Sequence, residues 1–131
     1  MKQPLKTMLW TLFVIAIIVA SWYWYEAAWD GRLFRKEDGK ICVNIRPSEA
    51  KALIGSHPEV QVLDVRSDRE FASGALPKAI HISIVDPAFD EKVGNLDRTR
   101  PLLVYCAGGF RSRKAVERLK ELGFRHIQHL H

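Results

Sequence analysis

The sequence predicts an α/β domain with a mainly parallel sheet, preceded by one N-terminal transmembrane helix. Three observations predict this fold class. No residue between Lys6 and Glu26 is charged, which leaves a run of 19 uncharged residues. Further along, short stretches rich in β-branched residues alternate with helical stretches, as in a mainly parallel sheet. The stretch Leu102–Tyr105 is continuously apolar, which is typical of a strand buried on both faces of such a sheet.

The uncharged run is long enough to cross a membrane as a helix. At about 1.5 Å per residue it approaches the roughly 30 Å hydrocarbon core of a bilayer. Trp22–Tyr25 and Trp29 cluster where it ends, as aromatic residues do at the headgroup level. A cleaved signal peptide is the alternative, since Val19-Ala20-Ser21 fits a cleavage site, but this run is longer than most signal cores. We expect an N-terminal tail at residues 1–7, a transmembrane helix at 8–25 and a linker at 26–40.

The charges flanking this helix leave its orientation open. Lys2 and Lys6 on a short tail resemble a signal anchor whose N-terminus stays inside. The other flank carries more basic residues, at Arg32, Arg35, Lys36 and Lys40, and simple counting there argues for the reverse. We expect a single-pass protein whose domain lies in the periplasm, with a cytoplasmic domain as the alternative.

The elements of the domain, predicted at residues 41–131, follow from periodicity and from helix termini. Alternating apolar residues predict a first strand at 41–45, and Pro47 and Gly55 bound a short helix. One apolar stripe that stops at Gly123 predicts the longest helix, from Ser112 to Leu122. The remaining predicted elements are strands at 60–65, 79–82, 102–105 and 124–130, a short helix at 68–72, and a helical turn with a loop at 86–98.

Composition excludes several classes of function. The net charge is +5 and the pI about 9.4, but the basic residues are spread along the chain among acidic ones, so we expect no nucleic-acid partner. Two cysteines are too few for a disulfide framework. Scattered histidines at the C-terminus suit a terminal strand better than a metal site, and we expect neither metal nor cofactor. The densest basic cluster is read as a solvated helix face or, alternatively, as a weak attractor of small anions; it comprises Arg111, Arg113, Lys114, Arg118 and Lys120.

The segment PLLVYCAGGFRSR, residues 101–113, carries the candidate chemistry. A buried strand delivers Cys106 to its carboxyl end, the edge at which ligands bind in open parallel sheets. Small residues with two glycines let the chain curl so that several N–H groups point at one centre, and the next helix adds the positive end of its dipole. We therefore expect Cys106 to have a depressed pKa and to react as a thiolate. The alternative is a buried, inert cysteine.

Four ordered segments resemble the rhodanese family over about residues 45–130. CAGGFRS is similar to its Cys-x-x-Gly-x-Arg-Ser loop, and VLDVRSDREF resembles its strand-then-helix motif. SGALPKAIHIS and GFRHIQHL resemble two later segments. The resemblance implies a three-layer rhodanese α/β domain acting as a monomer.

The same resemblance implies sulfur transfer by double displacement. The Cys106 thiolate would take the outer sulfur of a small anionic donor such as thiosulfate, hold it as a persulfide, and give it to cyanide or a thiol. The substrate would be bound by the loop residues Ala107, Gly108, Gly109, Phe110 and Arg111. Asp64, Arg66 and Glu70 would form a supporting ion-pair group.

Departures from the family pattern lie outside the nucleophile loop. Ser73 stands where the family often has His, and Pro77-Lys78 replaces a Gly-Ala pair. The chain also ends at His131, where the family usually continues into Gly-Gly and a helix, so we expect a melting temperature below about 70 °C.

Three alternative functions remain. Phosphatases of this topology separate Cys and Arg by five residues, whereas four separate them here. A non-catalytic binding module would typically have lost the cysteine or the arginine. A persulfide relay to Cys42 is also possible in principle, although an ordinary buried strand cysteine is the simpler interpretation.

Overall fold

The structure is a computed structural model that describes residues 5–34 and 39–131. It divides into two compact units, Met1–Arg32 and Leu33–His131.

The first unit is a single helix, α1, at Leu5–Leu33. Lys6–Leu33 is long and apolar enough to cross a membrane, and its most apolar part is not buried within the protein. The helix continues eight residues beyond the predicted end at residue 25, so residues 26–33 are not the predicted linker. Glu26, Ala27 and Ala28 are good helix formers, which explains the extension. Of the predicted tail and linker, residues 1–4 and 35–38 lie outside the described residues.

The second unit is a parallel sheet with connecting helices, as predicted. The strands are β1 (Ile41–Ile45), β2 (Gln61–Asp64), β3 (Ala79–His81), β4 (Leu102–Tyr105) and β5 (His126–Leu130). The helices are α2 (Pro47–Ser56), α3 (Asp68–Ala72), α4 (Phe89–Gly94) and α5 (Phe110–Glu121). The strand order is β1-β5-β4-β2-β3, and all four neighbouring pairs are parallel.

The centre of the sheet is covered on both faces. Every residue of β2 and β4 is buried, which requires material above and below these strands and confirms the three-layer expectation. The α5 stripe contributes Ala115, Val116 and Leu119, all fully buried.

Register brings the carboxyl ends of the strands to one edge. Tyr105 at the end of β4 pairs with Asp64 on one side and with Leu130 on the other. Cys106 follows directly, so it lies at the middle of this edge.

Some element bounds differ from those predicted, and one backbone conformation was not predicted. Helix α5 begins at Phe110, two residues before the predicted start, which shortens the loop after β4. Lys78, in the replaced Gly-Ala pair, adopts a φ of 59°, a left-handed conformation that glycine tolerates better.

Candidate active site

The cysteine loop is built by a tight turn between β4 and α5. Gly109 has a φ of 84° and is the residue before the first turn of α5. This left-handed conformation turns the chain back over the end of β4. As a result the first amides of α5 face the cysteine.

Three hydrogen bonds converge on the sulfur of Cys106. The amide of Gly109 donates at 3.1 Å and the amide of Ser112 at 3.4 Å. The Ser112 hydroxyl lies 3.2 Å from the same sulfur. Burial of this half-buried thiol opposes its ionisation, but the hydrogen bonds outweigh burial and lower the pKa of Cys106. The convergence of amides agrees with the sequence expectation, although Ser112 was not among the predicted site residues.

Arg111 is held by Glu70. The two terminal nitrogens of its guanidinium group donate to the two carboxylate oxygens at 2.6 and 2.7 Å. Glu70 also accepts from the Ser67 hydroxyl and amide, and these bonds fix it at the start of α3. The Arg111 pair, followed by Ser67, holds the pKa of Glu70 well below its usual range. The cysteine loop is therefore tied to α3 through a bidentate ion pair.

Asp64 and Arg66 form a separate pair beneath the site. The Asp64 carboxylate is fully buried and accepts from Arg66 at 2.6, 2.9 and 3.0 Å. Burial opposes ionisation of Asp64, yet the bonds from Arg66 and Tyr105 lower its pKa. All three residues of the predicted ion-pair group form ion pairs, but in two separate pairs, because Asp64 binds Arg66 and Glu70 binds Arg111.

The rhodanese-like domain family matches residues 46–131. The chain belongs to this family. It is 34% identical over 83 residues to a Bacillus subtilis protein named "Putative sulfurtransferase YtwF", covering 63% of this chain and 79% of that protein. A rhodanese-related protein from Thermoplasma volcanium has a similar structure, with a TM-score of 0.57 and 32% identity over 66% of this chain and 82% of that one.

A second kind of relative is much longer. The tRNA uridine(34) hydroxylase of Cytophaga hutchinsonii is 36% identical over 99 residues, which are 73% of this chain but 30% of that protein. The chain therefore spans less than a third of that relative.

The second cysteine of this rhodanese-like chain lies far from the first. Cys42 is in register with Ile127, and Ile127 with Leu102, at the start of β4. Cys42 is thus displaced from Cys106 by four residues along the strand direction and by two strand spacings across the sheet. These displacements put the two Cα atoms about 16 Å apart. A disulfide needs Cα atoms within about 7 Å. The alternative of a direct persulfide relay from Cys106 to Cys42 is therefore wrong. Burial raises the pKa of Cys42 to about 11, as in an inert core thiol.

The basic cluster is neither one solvated face nor an open cationic surface. Arg113 is 3% exposed and Arg111 is bound to Glu70. Arg118 pairs with Asp90 and Glu121, and Lys120 donates to the Leu33 carbonyl at 3.0 Å. Lys114 lies over the Phe110 ring, 4.8 Å from its centroid. Two of the five charges, those of Arg111 and Arg118, are therefore paired with carboxylates, and Arg113 is buried, so the cluster is not a single open cationic face.

The histidines at the C-terminus do not gather into a metal site. Among the described residues, no three His, Cys, Asp or Glu side chains are placed to hold a metal ion. His129 is instead fully buried and bonded to Ser112 and Asn44. Sequence reasoning missed this contact, although strand alternation with Ile127 was the signal that places His129 on an inner face.

Proposed function

We propose that this domain is a sulfurtransferase that moves sulfane sulfur through a persulfide on Cys106. The observation that carries the proposal is the convergence of the Gly109 and Ser112 amides on the cysteine sulfur. Amide donors stabilise an anionic sulfur, and a thiolate is the nucleophilic form of cysteine.

The reaction would proceed in two displacements. The Cys106 thiolate attacks the outer sulfur of thiosulfate, a new S–S bond forms, and sulfite leaves with the electron pair of the broken bond. The acceptor, cyanide or a thiolate, then attacks the outer sulfur of the persulfide. The product is thiocyanate or a new persulfide, and the Cys106 thiolate is regenerated.

The loop from Ala107 to Arg111 would bind the transferred sulfur. Gly109 already donates to the cysteine sulfur, and Ala107 and Gly108 are exposed and add no side-chain atom beyond one methyl group. Phe110 is 51% exposed and would offer an apolar surface next to the loop. Arg111 would fix the loop through Glu70, with its charge shared between that carboxylate and the incoming anion.

The site disfavours phosphate ester hydrolysis. Only four residues lie between Cys106 and Arg111, which makes a narrow ring suited to one sulfur atom. Both terminal nitrogens of the Arg111 guanidinium group also donate to Glu70. They are therefore not available for bidentate binding of a phosphoryl group.

Formation of thiocyanate from thiosulfate and cyanide tests the proposal. The wild-type chain should form thiocyanate, Cys106→Ser should not, and Cys42→Ser should match the wild type because Cys42 is buried and remote. Equal activity in the Cys106→Ser variant would refute the assignment.

We further propose that α1 anchors the domain to the outer side of a cytoplasmic membrane. The exposed aromatic residues from Trp22 to Tyr25 support an interfacial position for that end of the apolar segment. Alkaline extraction should leave the protein in the membrane, and protease added to right-side-out vesicles should digest the domain. Digestion only in inverted vesicles would place the domain in the cytoplasm.

A further inference from the structure

A continuous chain of side-chain hydrogen bonds leads from Cys106 into the protein. The Ser112 hydroxyl, 3.2 Å from the cysteine sulfur, lies 2.7 Å from Nε2 of His129. The other ring nitrogen, Nδ1, is 2.6 Å from Oδ1 of Asn44 on β1. Cysteine, serine, histidine and asparagine are thus joined in one line, and neither His129 nor Ser112 has exposed surface.

The Asn44 oxygen fixes the tautomer of His129. An amide oxygen only accepts, so Nδ1 carries a proton and the neutral ring presents the lone pair of Nε2 to Ser112. Ser112 then donates to Nε2 and accepts from the Cys106 thiol. Nucleophile, base and orienting group therefore occur in the order that activates nucleophiles, with one hydroxyl interposed.

We propose that His129 is a positioning residue that holds the proton of Cys106, acting through Ser112, and so maintains the thiolate. This inference rests on the proposed function in assuming that Cys106 reacts as a thiolate.

The proton transfer is balanced and leaves each donor with an acceptor. The Cys106 proton moves to the oxygen of Ser112 as the Ser112 proton moves to Nε2 of His129. The products are a thiolate, an intact hydroxyl and an imidazolium. Nε2–H then donates to Ser112, the hydroxyl donates to the thiolate, and Nδ1–H still donates to Asn44. The Gly109 carbonyl, 3.0 Å from the hydroxyl, is a second acceptor for it.

The groups packed around His129 include two rings, a cation and an apolar side chain. The Phe34 ring stacks on the imidazole at 5.2 Å, and the ring of His131, directly after β5, lies 6.1 Å away between ring centroids. On the α5 side, the buried Arg113 and the His131 ring both approach Gly109. On the β4 side the register partner is the apolar Val104. The thiolate formed by the transfer carries the charge opposite to that of the imidazolium, and Ser112 lies between the two groups.

Alkylation of Cys106 by iodoacetamide against pH tests the proposal in the full chain in detergent micelles. All variants carry Cys42→Ser, so that only Cys106 reacts. His129→Gln keeps hydrogen bonding but cannot take up a proton. We expect its alkylation rate at neutral pH to fall about tenfold, equivalent to a rise of about one unit in the thiol midpoint. At high pH, where thiolate forms unaided, its rate should stay within about twofold of the parent.

A second variant has the opposite expected sign. Asn44 is an exposed residue, so Asn44→Asp places a solvated carboxylate against Nδ1–H and favours the imidazolium. The alkylation rate below the midpoint should then rise several-fold. A residue that only packed the core would not produce opposite shifts in the two variants. His126→Gln, an exposed histidine on the same strand, is the matched control and should leave the profile unchanged.

Superimposable pH profiles of the parent and His129→Gln would overturn the proposal. If His129→Gln does not fold, as judged by circular dichroism, an unshifted profile in Asn44→Asp overturns it instead. Alkylation needs no sulfur donor, so this result is independent of the thiocyanate assay. If thiocyanate forms but the alkylation profiles do not shift, the sulfurtransferase proposal stands and the proton transfer to His129 is refuted. If the profiles shift but no thiocyanate forms, only the proton transfer to His129 stands.

Discussion

Gly109 is the position at which the cysteine loop depends most directly on glycine. Its φ of 84° lies in the left-handed region, which costs other L-residues about 1–2 kcal/mol. A Cβ there would also lie 2.7 Å from Nδ1 of His131. Because His131 is an exposed side chain, it can move aside, and backbone strain is the main cost of Gly109→Ala.

The neighbouring glycine provides a matched control. A Cβ on Gly108 would meet nothing within 4 Å, and its φ is not in the left-handed region. Either alanine restricts the unfolded chain, which stabilises the protein by about 0.4–1 kcal/mol where the native backbone is compatible. This gain is common to both variants, so the difference between them isolates the strain, about 1–2 kcal/mol.

Thermal unfolding of the full chain in micelles, followed by circular dichroism, measures that difference. For a unit of this size, 1 kcal/mol shifts the melting temperature by about 4–8 °C, so Gly109→Ala should melt about 5–15 °C below Gly108→Ala. All four tryptophans lie in α1, which makes their fluorescence a poor reporter on the sheet. Equal melting temperatures would refute the claim that the loop needs a left-handed residue.

Other predictions follow from the ion pairs and the second cysteine. Asp64→Asn should lower the free energy of unfolding on the order of 3 kcal/mol, because Arg66 loses its buried counter-charge; a loss under about 1 kcal/mol in the same melts would contradict this. Arg111 lowers the pKa of Glu70, so this pair stabilises the fold above the ordinary glutamate pKa of about 4.3, and the contribution is lost as the pH falls below it. Glu70→Gln should therefore show a smaller decline in melting temperature on acidification than the wild type, and an equal decline would argue against the pair. Cys42→Ser should leave the alkylation rate of Cys106 unchanged, and an altered rate would indicate that the two thiols communicate.

Much of the fold was accessible from the sequence because local patterns and tertiary structure agree. Leu102–Tyr105 reads as a strand buried on both faces, and it is the central strand β4. The short helix predicted at 68–72 is α3, with the same bounds. The end of α1 was wrong because a change from apolar to polar residues marks the edge of a membrane segment and not the end of a helix. Good helix formers carry the helix on to Leu33.

The cysteine loop could be predicted from the sequence, but the partners of its side chains could not. Cys106 is identified by a local motif, since the turn that serves it lies within a few residues. Ion pairs and buried hydrogen bonds join residues distant in sequence, as between Glu70 and Arg111 or between Asn44 and His129. Asp64, Arg66 and Glu70 lie close together in sequence, but their spacing does not reveal which oppositely charged residue each one binds.

The most direct test of sulfur transfer is the mass of the chain after exposure to thiosulfate. We expect a gain of one sulfur atom, located by peptide mapping on the peptide that contains Cys106 and removed by cyanide. A chain that gains no sulfur, or that carries it on Cys42, would refute sulfur transfer through Cys106.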